Sequence, residues 1–190
     1  MNIHYLNTRA LSIPPFETLE LSPSLIADLR SDHAGETGAV EIYRGMLAVT
    51  RDPAVREFAE NHIEAERRHL EFFENWIPKT HLSRLLPVWR LAGWTLGAGS
   101  ALFGRQAVFA TIAAVESFVE THYLDQIGKL ETDSRFNLLR TKLQEFCNEE
   151  VHHRDDANSR ADKTDGVLHR GWARLVEAGS ALGVTIARKI

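Results

Sequence analysis

The chain has 190 residues, a length that fits one compact domain. Hydrophobic residues make up 44% and charged residues 25%, which excludes collagen-like, disordered and disulfide-scaffold proteins. The net charge is −4 and the sequence has no block rich in Lys and Arg, so we predict no nucleic-acid partner.

The first residues, 1–22, are predicted to form an N-terminal extension ahead of a single domain at 23–190. Residues 1–24 lack a basic start followed by an apolar run, so they do not resemble a secretory signal, and they read poorly as an Arg-rich transit peptide. The single cysteine, Cys147, cannot form an intrachain disulfide, which fits a reducing compartment.

The domain is predicted to be all-α, because no segment alternates apolar and polar residues as a strand does. Ser22-Pro23 and Asp52-Pro53 are typical helix starts, with a capping side chain followed by proline. Apolar residues at helical spacing predict five helices. The first two begin near residues 23 and 53, and the other three run over about 105–130, 136–157 and 168–186.

Between the second and third of these helices lies an unusually apolar stretch, segment 82–104. Its residues 85–104 approach the length of a membrane span, but Arg90 and several glycines weaken that interpretation. We predict that the segment packs on the bundle and dips into the membrane interface, with Trp89 and Trp94 at headgroup depth. A buried hairpin that fills the end of the bundle and a full span are the alternatives.

Four of the helical stripes carry a carboxylate where a core residue belongs, and two of them add a histidine three residues later. The six residues are Glu36, Glu66, His69, Glu116, Glu150 and His153. They form an internal repeat, because a lone glutamate precedes each Glu-x-x-His pair by thirty residues in the first half and thirty-four in the second. Residues three apart share a helix face, so each pair presents an oxygen and a nitrogen inward.

Four carboxylates and two imidazoles around one volume predict a di-iron or di-manganese centre in a ferritin-like four-helix bundle, with an additional apolar helical excursion and a C-terminal helix. The four carboxylates balance two divalent cations, whereas without cations each buried carboxylate would face a large desolvation cost. One Glu-x-x-His pair alone is weak evidence, since both residue types are common on solvated helix faces. Iron and manganese both suit these ligands.

The other polar residues near these stripes are predicted to be core, surface or ligand-orienting groups. His33, His62 and His152 belong to this class, and Cys147 is predicted to be a packing residue. Three aspartates could orient ligand imidazoles or form exposed salt bridges: Asp32, Asp155 and Asp156.

Five ordered motifs, within a resemblance that covers about residues 25–190, are Asp32 to Ala39 (DHAGETGA), Glu66 to Leu70 (ERRHL), the apolar strings LPVW and LGAG within 86–99, Val115-Glu116 with His122-Tyr123 and Gln126-Ile127, and Glu149 to His153 (EEVHH). Together they resemble the demethoxyubiquinone hydroxylase family of ubiquinone biosynthesis. The resemblance implies a membrane-associated di-iron monooxygenase that inserts one oxygen atom of O2 into the benzoquinone ring of demethoxyubiquinone.

The resemblance also implies roles for individual residues. It assigns Glu36 and His69 to one iron, Glu116 and His153 to the other, and Glu66 and Glu150 to a bridging position. His122 and Tyr123 match family positions linked to substrate or electron transfer. NADH is the expected reductant, although the sequence has no dinucleotide-binding glycine fingerprint.

The expected partners are a polyprenyl quinone, O2, a membrane lipid surface, other ubiquinone-biosynthesis proteins and a second copy of the chain. The expected location is peripheral, on the cytoplasmic face of a bacterial inner membrane, with the matrix face of the mitochondrial inner membrane as the alternative. Small residues around Glu36, from Ala34 to Ala39, would leave room for a ring or allow close helix contact.

Other functions stay open on the same ligand set. A quinol oxidase would return water and leave the quinone without added mass, and a rubrerythrin-like protein would reduce peroxide. An iron-storing ferritin needs a soluble exterior, against which segment 82–104 argues. A non-catalytic iron-binding bundle at the membrane is the last alternative.

Overall fold

Helices make up most of the chain in the computed structural model, which describes residues 13–161 and 167–190. The α-helices within these ranges are α1 (Pro23–Val49), α2 (Pro53–Trp76), α3 (Leu86–Leu102), α4 (Arg105–Leu130), α5 (Asn137–Arg160) and α6 (Val167–Ala187). Helices α1, α2, α4 and α5 form a ferritin-like four-helix bundle, while α3 packs along α1 and α6 packs along α4 and α1. No strand occurs in the described ranges, and the predicted all-α class is confirmed.

The two predicted helix starts are confirmed by their capping hydrogen bonds. The Ser22 hydroxyl accepts a hydrogen bond from the Leu25 amide at 3.2 Å, and Asp52 accepts one from the Ala54 amide at 2.9 Å. Each cap is followed by a proline, which lacks an N–H at the position where the helix would leave it unpaired. These caps fix where α1 and α2 begin and therefore which residues face inward.

Two apolar layers fill the bundle, one toward each end. One layer is built around Tyr43, Met46, Phe58, Phe109 and Ile112, and the other around Leu29, Phe73, Leu130, Leu139 and Leu143. On every bundle helix the predicted ligand residues lie between the stretches that feed these two layers. The polar cluster is thus enclosed above and below by packed side chains.

Segment 82–104 forms α3, a helix that lies unusually close to α1. A Cβ atom added at Gly45 would overlap the carbonyl oxygen of Trp94, and one added at Gly97 would overlap that of Ile42. Only glycine permits this backbone approach. The outer face of α3 remains exposed and apolar, with Leu91 65% and Phe103 just beyond the helix 86% accessible.

The alternative of a buried hairpin for segment 82–104 does not match this exposed helix. None of the described helices is long and apolar enough to cross a membrane. Trp94 is exposed, whereas the indole N–H of Trp89 donates to the Ser83 hydroxyl at 2.9 Å and its ring lines an internal cavity. The two tryptophans therefore face different surroundings.

The described part of the predicted N-terminal extension packs on one end of the bundle. Phe16 is buried, with its ring centroid 5.3 Å from that of Trp76, and the Trp76 indole donates to the Pro14 carbonyl at 3.0 Å. Residues 1–12 of the extension lie outside the described residues.

Candidate metal centre

The six predicted ligand residues meet in the middle of the bundle. Each of the four bundle helices contributes at least one of them, and each side chain is at most 5% accessible. Two groups of four residues place one ligand atom each within 4.8 Å of the others: Glu36, Glu66, His69 and Glu150 in the first, and Glu66, Glu116, Glu150 and His153 in the second. Glu66 and Glu150 belong to both groups, which is the geometry of bridging carboxylates.

The two imidazoles direct the same ring nitrogen into the cluster. His69 Nδ1 lies 2.9 Å from a Glu150 oxygen and 3.5 Å from a Glu36 oxygen. His153 Nδ1 lies 2.9 Å from Glu66 and 3.1 Å from Glu150. The halves of the sequence repeat therefore build equivalent nitrogen positions on opposite sides of the bridging glutamates.

Burial and mutual repulsion prevent the four glutamates from all carrying uncompensated charge. Burial raises the pKa of Glu36 to about 8 and raises the pKa of Glu116 well above its ordinary range. Burial also pushes the pKa of Glu150 upward, but the hydrogen bond from His153 and the adjacent His69 imidazole outweigh it and hold that pKa at about 2. Protons or cations must compensate the negative charge of this cluster.

Several of the inward ligand atoms face one another without forming hydrogen bonds. The atoms that lack a hydrogen-bond partner among the described residues are Glu36 Oε2, Glu66 Oε1, His69 Nδ1, Glu116 Oε1 and Glu150 Oε1. Leaving a buried polar atom unpaired costs about 1–3 kcal/mol. A pair of divalent cations would satisfy these atoms, and mixed carboxylate and imidazole ligation suits iron or manganese. The residues present therefore fit two transition-metal ions.

The outer nitrogen of His69 is held by a residue that the sequence analysis did not single out. His69 Nε2 lies 2.8 Å from a Glu149 oxygen, and Arg68 donates to the same oxygen at 3.1 Å. A carboxylate in this position fixes the imidazole orientation and strengthens it as a ligand. Glu149 faces its partner from another helix, and no spacing rule within one helix reports such a contact.

The other predicted polar residues lie outside the ligand set. His62 is bonded to Asp156 at 2.8 Å and stacks edge-on against His153, with ring centroids 4.4 Å apart. His33 is fully buried, while His152 and Asp155 are exposed. Asp32 contacts His122 rather than a ligand imidazole, and Cys147 is buried in the apolar layer that contains Phe73.

The two residues predicted to take part in catalysis lie beside the cluster. Tyr123 donates a hydrogen bond from its hydroxyl to Glu36 Oε1 at 2.5 Å. His122 Nε2 lies 3.1 Å from both the Ser31 hydroxyl and Asp32 Oδ1. Both side chains line the same cavity as the ligand glutamates.

An apolar cavity of about 480 Å³ ends at the cluster. Its walls come from α1, α3, α4 and α6, and four of the ligand glutamates form part of its lining. The predicted small residues Ala34, Gly35, Gly38 and Ala39 are in this wall, and Gly38 also lies in close contact with Gly93 of α3. These small residues therefore line the cavity, and Gly38 also takes part in the close helix contact.

A sequence profile of the family described as Ubiquinone biosynthesis protein COQ7 matches residues 24–187. The chain belongs to this family. Similar COQ7-family proteins include the 3-demethoxyubiquinol 3-hydroxylase of Rhodospirillum rubrum, with 37% identity over 174 residues that cover 89% of this chain and 81% of the relative. The NADPH-dependent 3-demethoxyubiquinone 3-hydroxylases, mitochondrial, of Mus musculus and Caenorhabditis elegans are 31% and 33% identical, each over 85% of this chain and over 76% and 88% of their own lengths.

This COQ7-family chain contains a second tyrosine that the sequence analysis did not single out as a site residue. Tyr43 follows Glu36 by seven residues, the same offset that separates Tyr123 from Glu116. It is fully buried, and burial followed by the charge of Glu116 raises the pKa of its hydroxyl well above the ordinary range. Extending the repeat beyond the ligands would have identified this position from the sequence alone.

Proposed function

We propose that this protein is a di-iron monooxygenase that hydroxylates the benzoquinone ring of demethoxyubiquinone, using O2 and a reductant, in a late step of ubiquinone biosynthesis. The observation that carries the proposal is the junction of two features, a six-residue carboxylate and imidazole cluster and an apolar cavity that ends at it. The names of the similar hydroxylases supply the substrate.

In this proposal the metal ions occupy the two groups of four residues described above. Glu36 and His69 would hold one iron, Glu116 and His153 would hold the other, and Glu66 and Glu150, which belong to both groups, would be shared between them. Bound there, two ferrous ions would supply the activation of O2. The contribution of the protein is to fix the ligands between two packed apolar layers and to keep bulk water away from the centre.

The cavity is suited to a substituted ring with a long apolar tail. Its volume of about 480 Å³ lies within the usual range for small-molecule sites, and most of its lining is apolar. Glu36 and Glu116 line the cavity where it meets the proposed metal positions, while Trp89 and Trp172 line it from α3 and α6. We propose that His122 and Tyr123 contact the polar ring substituents and hold protons near them.

Segment 82–104 is proposed to bring this cavity to the membrane where a polyprenyl substrate resides. Leu91, Leu102 and Phe103 are at least 65% accessible, and apolar surface of this kind gains free energy when it enters a lipid interface. The proposed location is the cytoplasmic face of a bacterial inner membrane, with the matrix face of the mitochondrial inner membrane as the alternative. A domain at 23–190 that includes this segment is part of the same proposal.

NADH is the proposed reductant, and the mouse and nematode relatives are named as NADPH-dependent, so both nucleotides belong in the test. The proposed partners beyond the quinone are O2, other ubiquinone-biosynthesis proteins and a second copy of the chain. None of these partners is needed for the central experiment, which uses a chemical reductant in parallel.

The test supplies iron-loaded protein with demethoxyubiquinone, a reductant and isotopically labelled 18O2, and follows the quinone by mass spectrometry. Incorporation of one labelled atom into the ring is expected. Glu116→Gln should abolish it by removing a ligand, whereas Glu145→Gln on the exposed face of α5 should not. Oxygen consumption with no mass gain would contradict the hydroxylase and indicate a quinol oxidase.

A further inference from the structure

A small polar cluster joins α1 to α4 beside the cavity. It consists of Ser31 and Asp32 on α1, one helical turn before Glu36, and His122 and Gln126 on α4. Ser31, Asp32 and His122 line the cavity, and Gln126 is fully buried. The side chain of Asp32 is 1% accessible, so every polar atom in it needs a partner from the protein or from a bound molecule.

Three hydrogen-bond donors of this cluster are engaged within it or with the α1 backbone. Gln126 donates its amide N–H to Asp32 Oδ1 at 2.7 Å. Ser31 donates its hydroxyl to the Asp28 carbonyl at 2.6 Å, so its oxygen can only accept from His122 Nε2. His122 therefore carries its proton on Nε2, which points at Ser31 and at Asp32 Oδ1.

Two acceptors remain unused. Asp32 Oδ2 and Gln126 Oε1 are buried and have no hydrogen-bond partner among the described residues. The orientation of the Gln126 amide is fixed, because a carboxylate accepts only from its nitrogen end. Asp32, a residue of the cavity lining, thus has a buried acceptor that lacks a donor.

This arrangement discriminates between the two redox forms of a quinone ring. A quinone oxygen is a carbonyl and only accepts hydrogen bonds, so beside Asp32 Oδ2 it would place two acceptors together. A hydroquinone oxygen is a hydroxyl and donates. Binding the reduced ring satisfies Asp32, whereas binding the oxidised ring leaves a buried carboxylate oxygen unpaired.

We propose that Asp32 Oδ2 accepts a hydrogen bond from a ring hydroxyl of the substrate and that this contact makes the site select the hydroquinone over the quinone. Gln126 and His122 are positioning residues, since Gln126 donates to Oδ1 and His122 Nε2 lies 3.1 Å from it, which leaves Oδ2 for the ring hydroxyl. The inference rests on the proposed function and deepens it. The names of the relatives include both redox forms, and the contact assigns the choice between them to one residue.

The experiment measures binding, separately from turnover. Zinc-loaded protein is used, because zinc(II) fills the centre without exchanging electrons with the ring. Demethoxyubiquinone with a ten-carbon saturated tail and its hydroquinone are each equilibrated with the protein without oxygen, and free ligand is measured after ultrafiltration. The hydroquinone is expected to bind about tenfold more tightly.

Asp32→Asn is the decisive variant. The donors of Gln126 and His122 hold the carbonyl oxygen of the new amide at the Oδ1 position, so its NH2 group takes the place of Oδ2 and donates. The preference is expected to turn toward the quinone. Asp156→Asn is the matched control, since Asp156 also bonds a histidine, His62 at 2.8 Å, but lies outside the cavity, and it should keep the hydroquinone preference.

Each result decides between two ideas. A wild-type preference for the hydroquinone below threefold, or an undiminished preference in Asp32→Asn, overturns the role of Asp32 and leaves the proposed function standing. Failure of the wild-type protein to bind either form overturns the proposed function itself. If Asp32→Asn does not fold, the wild-type preference still decides.

Discussion

Tyr123 and Tyr43 occupy equivalent places in the internal repeat but differ in their hydrogen bonding. Tyr123 donates to Glu36 Oε1 at 2.5 Å, whereas the buried hydroxyl of Tyr43 has no hydrogen-bond partner among the described residues. The offset from the preceding glutamate is seven residues in both cases. At this position the two halves of the repeat therefore have the same residue type but different hydrogen bonding.

This difference predicts opposite effects of the same substitution. Tyr123→Phe should lower the free energy of unfolding of the metal-free protein by about 1–3 kcal/mol, because it leaves a buried Glu36 oxygen without its donor. Tyr43→Phe should change it by less than about 0.5 kcal/mol or raise it, because the hydroxyl it removes is unpaired. Urea unfolding followed by circular dichroism measures both. Equal losses in the two variants would contradict the asymmetry.

Glu150 should be the ligand whose loss empties the whole centre. It belongs to both groups of four ligand residues, so Glu150→Ala is expected to reduce bound iron from two ions per chain to fewer than one. Iron is measured by elemental analysis after anaerobic loading and gel filtration, with helicity checked by circular dichroism. Glu145→Ala, on the exposed side of the same helix, is the control and should keep both ions. Retention of two ions by a helical Glu150→Ala protein would refute the metal assignment.

Local sequence rules were sufficient for the bundle helices and for the meeting of the six ligand side chains. Periodicity fixes which face of a helix is buried, and a spacing of three residues places Glu150 and His153 on one face. These rules act within a single helix, and the repeat extends them to the second half.

Contacts between helices were beyond those rules. The bonds of Glu149 to His69 and of Asp32 to His122 join residues eighty or more positions apart, and their existence depends on how the helices are rotated and offset. The same holds for α3. In the sequence its glycines counted against a membrane span, and in the structure they permit close contact with α1. Packing of whole elements decides such details.

Close contact between α1 and α3 predicts a large effect at Gly97. Its replacement by alanine would push a methyl group into the backbone of Ile42, so α3 must move, at a cost of about 1–3 kcal/mol or more. Gly99→Ala, two residues away, meets nothing within 4 Å and should be neutral or stabilising by up to about 1 kcal/mol, as expected for glycine to alanine in a helix. Urea unfolding compares the two. A neutral Gly97→Ala would show that the helices are not in contact there.

His33 predicts a specific acid sensitivity. Its side chain is fully buried, and burial, reinforced by the charge of Arg90, lowers its pKa from 6.5 to about 4. Glu74 approaches to 4.0 Å but is half exposed, so water screens its attraction. In the unfolded chain the His33 imidazole takes up a proton near pH 6.5, whereas in the folded protein it does so only near pH 4. This contribution to stability is complete above pH 6.5 and decreases as the pH falls through that window.

The measurement compares wild-type protein with His33→Leu in the metal-free form. Between pH 7.5 and pH 4.5 the wild type should lose about 2–3 kcal/mol more of its free energy of unfolding than the variant, which has no imidazole to protonate. Titration of the glutamate cluster is common to both proteins and cancels in the difference. Parallel pH profiles for the two would contradict the lowered pKa of His33.

The exposed residues at the end of α3 predict how the protein binds lipid. Leu102 and Phe103 are 75% and 86% accessible, and each would contribute roughly 1.5–3 kcal/mol if fully transferred from water. The double variant Leu102→Glu with Phe103→Glu should therefore reduce flotation with vesicles of phosphatidylcholine at least tenfold. This lipid has no net charge, so repulsion by a charged bilayer cannot explain the loss. Leu124→Glu places one such charge on a 48% accessible leucine of α4 and should float as the wild type does. Equal losses in both variants would mean that added charge, rather than the apolar end of α3, governs binding. A wild-type protein that stays in the unbound fraction would contradict the membrane role of segment 82–104.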